Sequence, residues 1–229
     1  MREIVFDTET TGLEPENGDR IVEIGCVEMV NRVLTGRTFH AYFNPGRPMP
    51  LGAESVHGLT DAFLADKPRF AERAEELLAF LGDCPLVAHN AGFDFAFLNA
   101  ELGQCRRDHV CRSRMVDTVA IAKVRHPGAK LSLDALCTRY GVDRSHRVRH
   151  GALLDAELLA QVYVELTGGR QIRLDLAAIA GNDRARPTLA PATARPLRPA
   201  RPHAASPAEL ARHAEFVATL AAPLWVAAR

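Results

Sequence analysis

Three β-rich runs crowd into the first 43 residues: Arg2–Thr8, Arg20–Val30 and Val33–Phe43, the first two joined by residues 9–19 and the last two separated only by Asn31-Arg32. Parallel neighbours need a crossover of about a dozen residues, whereas antiparallel ones can be joined by a two-residue turn. The chain is therefore expected to open as an antiparallel meander. The rhythm then changes. Arg69–Leu81 carries apolar residues at Phe70, Ala74, Leu77, Leu78 and Leu81, the spacing of one helix face. Pro85–Ala88 reads as a short buried strand, and Phe93–Leu102, Leu133–Tyr140 and Ala152–Leu166 as helices, with Ser132 placed to cap the second of these. The expected fold class is α/β, a mixed β-sheet flanked by helices. At 47% hydrophobic and 24% charged residues, 229 residues are enough for one real core with segments to spare.

The spare segments follow Gly168-Gly169. Residues 181–205 are dominated by Pro, Ala and Arg and cannot bury enough apolar area to fold alone, so they read as a linker. Ser206-Pro207-Ala208-Glu209 then has the form of a capping box with proline at the first helical position. Leu210, Ala214, Val217 and Leu220 follow at helical spacing, Pro223 is expected to end that helix, and Leu224-Trp225 comes after it. This divides the chain into a body (1–169), a junction (170–180), a linker (181–205) and a terminal segment (206–229). So short a helix is marginal alone in water, and its apolar face needs a cover, either the body or a groove on another protein.

Bulk properties narrow the setting. No apolar run approaches the roughly 20 residues that span a bilayer, so no membrane partner is expected. Five cysteines, an odd and scattered set without a C-x-x-C pair, read as reduced thiols of a cytoplasmic protein. Net charge is zero, yet residues 181–229 hold seven arginines against three acids, leaving an acidic body with a basic tail. Such a body does not hold nucleic acid by bulk charge, so any grip on it must be local.

Three carboxylate-bearing strings offer that grip. Asp7 and Glu9 alternate along the first strand and so share a face. Like charges this close conflict unless a divalent cation joins them, and all-oxygen ligands suit Mg²⁺ or Mn²⁺ rather than zinc. In His89-Asn90-Ala91-Gly92-Phe93-Asp94, Asp94 falls where a buried strand gives way to a helix. In His150-Gly151-Ala152-Leu153-Leu154-Asp155, a five-residue spacing would put the two side chains about 140° apart on a continuous helix. Gly151 breaks that helix, leaving His150 on a loop beside Asp155, a pairing that suits a proton acceptor near a metal-bound water. Singly, each string also fits a solvated strand end, a helix cap or a solvated histidine.

Together, Asp7-Thr8-Glu9-Thr10-Thr11-Gly12, His89-Asn90-x-x-Phe93-Asp94 and His150-x-x-x-x-Asp155 resemble the three motifs of DEDD-superfamily exonucleases, histidine subclass. All four acids and the histidine are in place. Arg20-Ile21-Val22-Glu23-Ile24-Gly25 and Val56-His57-Gly58-Leu59-Thr60 extend the likeness to the proofreading (epsilon) subunits of bacterial DNA polymerase III. The resemblance covers about residues 2–169 and implies an RNase H-like fold and 3′→5′ removal of mispaired nucleotides from DNA. It implies two divalent metal ions, with Asp7 bridging both, Glu9 and Asp155 completing one and Asp94 supporting the other, and His150 as general base. Thr10, Leu13, His57 and Phe93 are carried as substrate contacts, although His57 and Thr60 also suit a turn and a helix cap, and Phe93 also suits the core.

Partners implied by the resemblance are a single-stranded or frayed DNA 3′ end, a replicative polymerase catalytic subunit and the sliding clamp. Gln171, Leu174, Asp175 and Leu176, within Gln171-Ile172-Arg173-Leu174-Asp175-Leu176, resemble a clamp-docking peptide. Leu210, Val217, Leu220 and Trp225 would face the polymerase. A stand-alone RNA- or DNA-trimming exonuclease of the same superfamily is the nearest alternative, against which the linker and terminal helix weigh. A non-catalytic tether between polymerase and clamp is another, against which the intact five residues weigh.

Overall fold

The computed structural model describes residues 1–145, 150–169 and 204–221. Five strands form one sheet in the order β3-β2-β1-β4-β5: β1 (Arg2–Thr10), β2 (Ile21–Val30), β3 (Val33–Tyr42), β4 (Leu86–Ala88) and β5 (Met115–Asp117). The first three form the expected meander, with β1–β2 and β2–β3 antiparallel. Asn31 (φ 51°) and Arg32 (φ 64°) both take the left-handed conformation that a two-residue hairpin turn of matching twist requires. β4 and β5 join on the other side of β1, both in parallel.

β1 is central, so both of its faces are covered. Ile4 and Phe6 join Ile24, Phe39 and Leu86 beneath helices α3 (Phe70–Leu81) and α4 (Ala91–Gln104). Val5 joins Val27, Met29 and Val87 on the opposite face, where α7 (Ala152–Leu166) contributes Ala156, Leu159, Ala160 and Tyr163. Each such leucine- or phenylalanine-sized side chain contributes roughly 1.5–3 kcal/mol when taken out of water. Helices α5 (Thr118–Arg125) and α6 (Leu133–Tyr140) pack on α7 through Ala122, Leu136 and Cys137. Two short helices, α1 (Leu51–His57) and α2 (Asp61–Leu64), follow β3. The mixed sheet flanked by helices is the fold class expected, and Ser132 caps α6 as expected, accepting from the Ala135 N–H. None of the five cysteines, all within the described residues, forms a disulfide.

The glycine at position 25 decides how close α7 can come. Gly25 pairs with Asp7 across the β1–β2 ladder. A Cβ there would lie 2.2 Å from the Leu153 nitrogen and 2.3 Å from its Cα, so the first turn of α7 rests on bare backbone. That contact carries Asp155 to the strand bearing Asp7 and Glu9.

A second unit holds helix α8 (Pro207–Ala218). Ser206 and Glu209 form the expected capping box. The helix ends at Ala218, ahead of the expected stop at Pro223. Its final turn is drawn tight by Thr219 and Leu220 N–H bonds to Phe216 and Val217 carbonyls, and by the Thr219 hydroxyl bonding back to Phe216. Leu210 (58% exposed) is uncovered, as is Phe216 (60%), which the sequence reading did not include, while Val217 and Leu220 are half-buried. The docking candidates Gln171, Leu174, Asp175, Leu176 and Trp225, and nearly all of the linker, lie outside the described residues. Among the described residues, no helix is long and apolar enough to cross a membrane.

Because the obstacle at Gly25 is backbone, Gly25→Ala should destabilise the protein by about 1–3 kcal/mol, the usual cost of overpacking. Denaturant unfolding of the variant beside the native chain measures this; equal midpoints would show that α7 has room to retreat.

Candidate active site

β1 and β4 run parallel, so their C-terminal ends open at the same edge of the sheet, where the strand order turns from antiparallel to parallel neighbours. Open α/β sheets characteristically place ligands at such an edge. Asp7 and Glu9 extend the Val5 face of β1 toward α7. Between them, Thr8 points the other way, and its buried hydroxyl donates to Asp94 Oδ1 at 2.7 Å. Asp94 sits in the first turn of α4 and Asp155 in the first turn of α7, each 3% exposed. His150 stands just ahead of α7, half exposed, with Nδ1 3.3 Å from Asp155 Oδ2. Gly151, extended at φ −161°, is the N-cap that keeps His150 off the helix. Ligand atoms of Glu9, His150 and Asp155 all lie within 4.8 Å of one another.

The electrostatics follow from this crowding. Burial pushes the Asp7 carboxyl well above the usual carboxylate range, and Asp94, Glu9, Asp155 and Glu23 push it further. Asp94 is raised to about 7, mainly by burial, against the opposing hydrogen bonds from Thr8 and the backbone. The five residues singled out by sequence thus belong to one centre, coupled by proximity or charge. Carboxylates from three separate elements, whose charges disfavour ionisation of the Asp7 among them, are the donor set that a divalent cation satisfies.

Two neighbours escaped the sequence reading as site residues. Thr8 orients Asp94 directly. Glu23 faces Glu9 across the β1–β2 ladder, is 3% exposed, and has Oε1 2.7 Å from His40 Nε2. Burial and Glu23 together raise the Tyr42 phenol. A glutamate within the otherwise apolar run Ile21–Val27 was the available signal, but its meaning depends on the hairpin register.

Beside the acids lies a cleft of about 440 Å³, lined in part by Glu9, Thr10, Leu13, Val56, His57 and Phe93. The four residues carried as substrate contacts therefore share one hollow. The Thr10 hydroxyl donates to the Gly12 carbonyl at 2.6 Å, shaping the loop that presents Leu13, itself 80% exposed. The Phe93 ring packs 4.8 Å from Phe97, as the core reading expects, and also lines the cleft. His57 does shape a turn, since Nδ1 accepts the Leu59 N–H at 3.0 Å, and Thr60 does cap α2. Burial lowers the His57 pKa, the Thr10 backbone opposing that only in part, so the ring is neutral with its proton on Nε2. That buried Nε2 makes no hydrogen bond of good geometry among the described residues, the nearby Thr10 backbone being too poorly aligned to satisfy it.

Comparison with known proteins places this geometry. Residues 4–163 match the exonuclease family model RNase_T. DNA polymerase III subunit epsilon of Rickettsia felis is 55% identical over 174 residues, 75% of this chain and 76% of the relative. That of Escherichia coli is 47% identical over 176 residues, covering 74% and 72%. Among solved structures, exonuclease X in complex with 5′-overhanging duplex DNA superposes with TM-score 0.57 at 26% identity, covering 72% of this chain and 90% of that one. The nuclease domain of a DEDDh-family 3′ exonuclease bound to rAMP has the same fold, with TM-score 0.62 at 18% identity, covering 72% and 91%. With its acids at the edge of an RNase H-like sheet and its matched span reaching into α7, the chain belongs to the exonuclease family that includes the epsilon subunits of DNA polymerase III.

Proposed function

We propose that the protein removes mispaired nucleotides from DNA 3′ ends as the proofreading 3′→5′ exonuclease of a replicative polymerase. Asp7, Glu9, Asp94 and Asp155 would hold two divalent ions, Mg²⁺ or Mn²⁺, and His150 would act as general base. The convergence of these five residues at one sheet edge, beside a nucleotide-sized cleft, carries the reading. When bound, such ions lower the pKa of a water and stabilise charge on the phosphodiester oxygens.

The chain's own residues supply the rest. Asp155, beside Nδ1 of His150, favours the tautomer with its proton there, leaving Nε2 to take a proton from the attacking water. Leu13 and Phe93 offer apolar surface to the terminal base, while His57 Nε2 offers a donor and Thr10 lines the same wall. A cleft that admits only an unpaired strand favours errors without reading bases, because a mispaired end melts more readily than a paired one.

Exonuclease domain (1–169), junction peptide, linker (181–205) and terminal segment (206–229) then divide the labour. Gln171, Leu174, Asp175 and Leu176 would dock on the sliding clamp, and the terminal segment, with its uncovered Leu210 and with Trp225, on the polymerase catalytic subunit. Relatives at 47–55% identity that carry the epsilon name favour this over RNA trimming.

Replacing Asp7 or Asp155 by Ala should lower hydrolysis of single-stranded DNA by at least about a hundredfold while far-ultraviolet circular dichroism is unchanged. Near-native rates in either variant would displace that residue from the centre.

The raised carboxyls also set how stability depends on pH. A carboxyl with a higher pKa folded than unfolded favours the folded state only while protonated. The metal-free protein should therefore lose stability as pH rises from roughly 4, the ordinary carboxylate value, through about 7, where Asp94 ionises. Mn²⁺ should raise the melting temperature more at pH 8 than at pH 6, and Asp94→Asn should raise that of the metal-free protein at pH 8. A metal-free melting temperature that climbs from pH 6 to pH 8 would contradict the burial of these charges.

Truncation after Gly169 should leave an enzyme that trims single-stranded DNA at the full-length rate but no longer co-elutes with polymerase or clamp in size-exclusion chromatography. Undiminished co-elution would place those contacts on the body.

A further inference from the structure

One carboxylate outside the three motifs joins the starts of two helices. Asp117, the last residue of β5, caps α5 by accepting the Val119 N–H at 2.9 Å. The same oxygen, Oδ1, accepts the Asn90 N–H at 3.1 Å and the Ala91 N–H at 3.4 Å, where α4 begins. α4 needs this help. Its N-cap, Asn90, sits at φ 64°, a left-handed conformation costly for any residue but glycine and least so for asparagine, and its side chain makes no cap hydrogen bond. Thr118 adds to the same junction: its hydroxyl donates to the Ala88 carbonyl at 3.1 Å and lies 2.9 Å from His89 Nδ1. The β4–β5 register, which pairs Ala88 with Asp117, puts these groups side by side.

We propose that Asp117 is a positioning residue for the active centre: by holding the first turn of α4 to the end of β5, it fixes where Asp94 and Phe93 stand. This rests on the role proposed above for Asp94. α4 is anchored to the core by Ala91 in its first turn and by Phe95, Leu98 and Leu102 beyond it. Small Ala91 seats that turn against the core, and two polar grips aim it: the Thr8 hydroxyl on the Asp94 carboxylate itself and Asp117 on the backbone at the helix start.

Asp117→Ser separates this role from ordinary helix capping. Serine is a good N-cap, so it can still accept from Val119, but its hydroxyl ends one bond short of Asn90 and Ala91. Asp117→Asn keeps an acceptor at the position of Oδ1 and should keep both contacts. The full-length chain carries each substitution. In Asp117→Ser, amide exchange at Asn90 and Ala91 should accelerate at least about tenfold while Val119 stays protected. Titration calorimetry of the metal-free chain should show Mn²⁺ binding about tenfold weaker, the usual scale for a partner that orients a ligand, and Asp117→Asn should recover most of it. Unchanged protection of Asn90 and Ala91 in Asp117→Ser would overturn the bridge. Mn²⁺ binding equal to that of the native chain despite faster exchange would reduce Asp117 to a structural cap. If the native chain itself bound no Mn²⁺, the metal reading would fall, and the exchange data would still decide the bridge.

Discussion

Mutual repulsion among buried carboxylates is the constraint around which this protein is arranged. Tight packing drives Asp7, Glu9, Asp94 and Asp155 together: burial and then the charge of its neighbours raise the Asp7 carboxyl, while burial, opposed by hydrogen bonds from Thr8 and the backbone, raises that of Asp94. Nothing local holds them in place. Asp7 and Glu9 depend on the central strand, Asp155 on a helix that approaches only because residue 25 lacks a side chain, and Asp94 on hydrogen bonds from the opposite side of the sheet. The hydrophobic layers thus supply the work that brings like charges together, and a divalent cation is what such an arrangement is complementary to.

Much of this was legible in the sequence. The two-residue gap between the second and third runs left them only one way to pair. The stripe at Phe70, Ala74, Leu77 and Leu81 is the buried face of α3, and the bounds expected for α6 and α7 match those observed. Acids at alternate positions of a strand, and at the first turns of two helices, could be placed because period and caps are local properties.

What could not be read escaped for separate physical reasons. β5 is three half-buried residues, and α5 is eight residues of which only Thr118 and Ala122 are buried. In α1 only His57 is buried. Segments so short present no period to detect. The roles of Thr8, Glu23 and Asp117 were hidden differently: each depends on a partner 14 to 86 residues away in sequence, met only through strand register. Phe216 escaped because it lies off the stripe formed by Leu210, Ala214 and Val217, and only the structure shows it uncovered.

The alternation along β1 has a consequence for synthesis of the chain. Odd-numbered acids face α7 and Thr8 faces α4, so the centre straddles the central strand and takes one helix from each layer. Its last two members, His150 and Asp155, are also nearly the last residues of the folded body to leave the ribosome. A growing chain can complete the meander and even dock α4, yet it holds no full set of ligands until α7 has been made and laid against Gly25. Under the proposed assignment, a chain whose work is to shorten DNA gathers its full set of acids only once the stretch that follows the folded body is being synthesised.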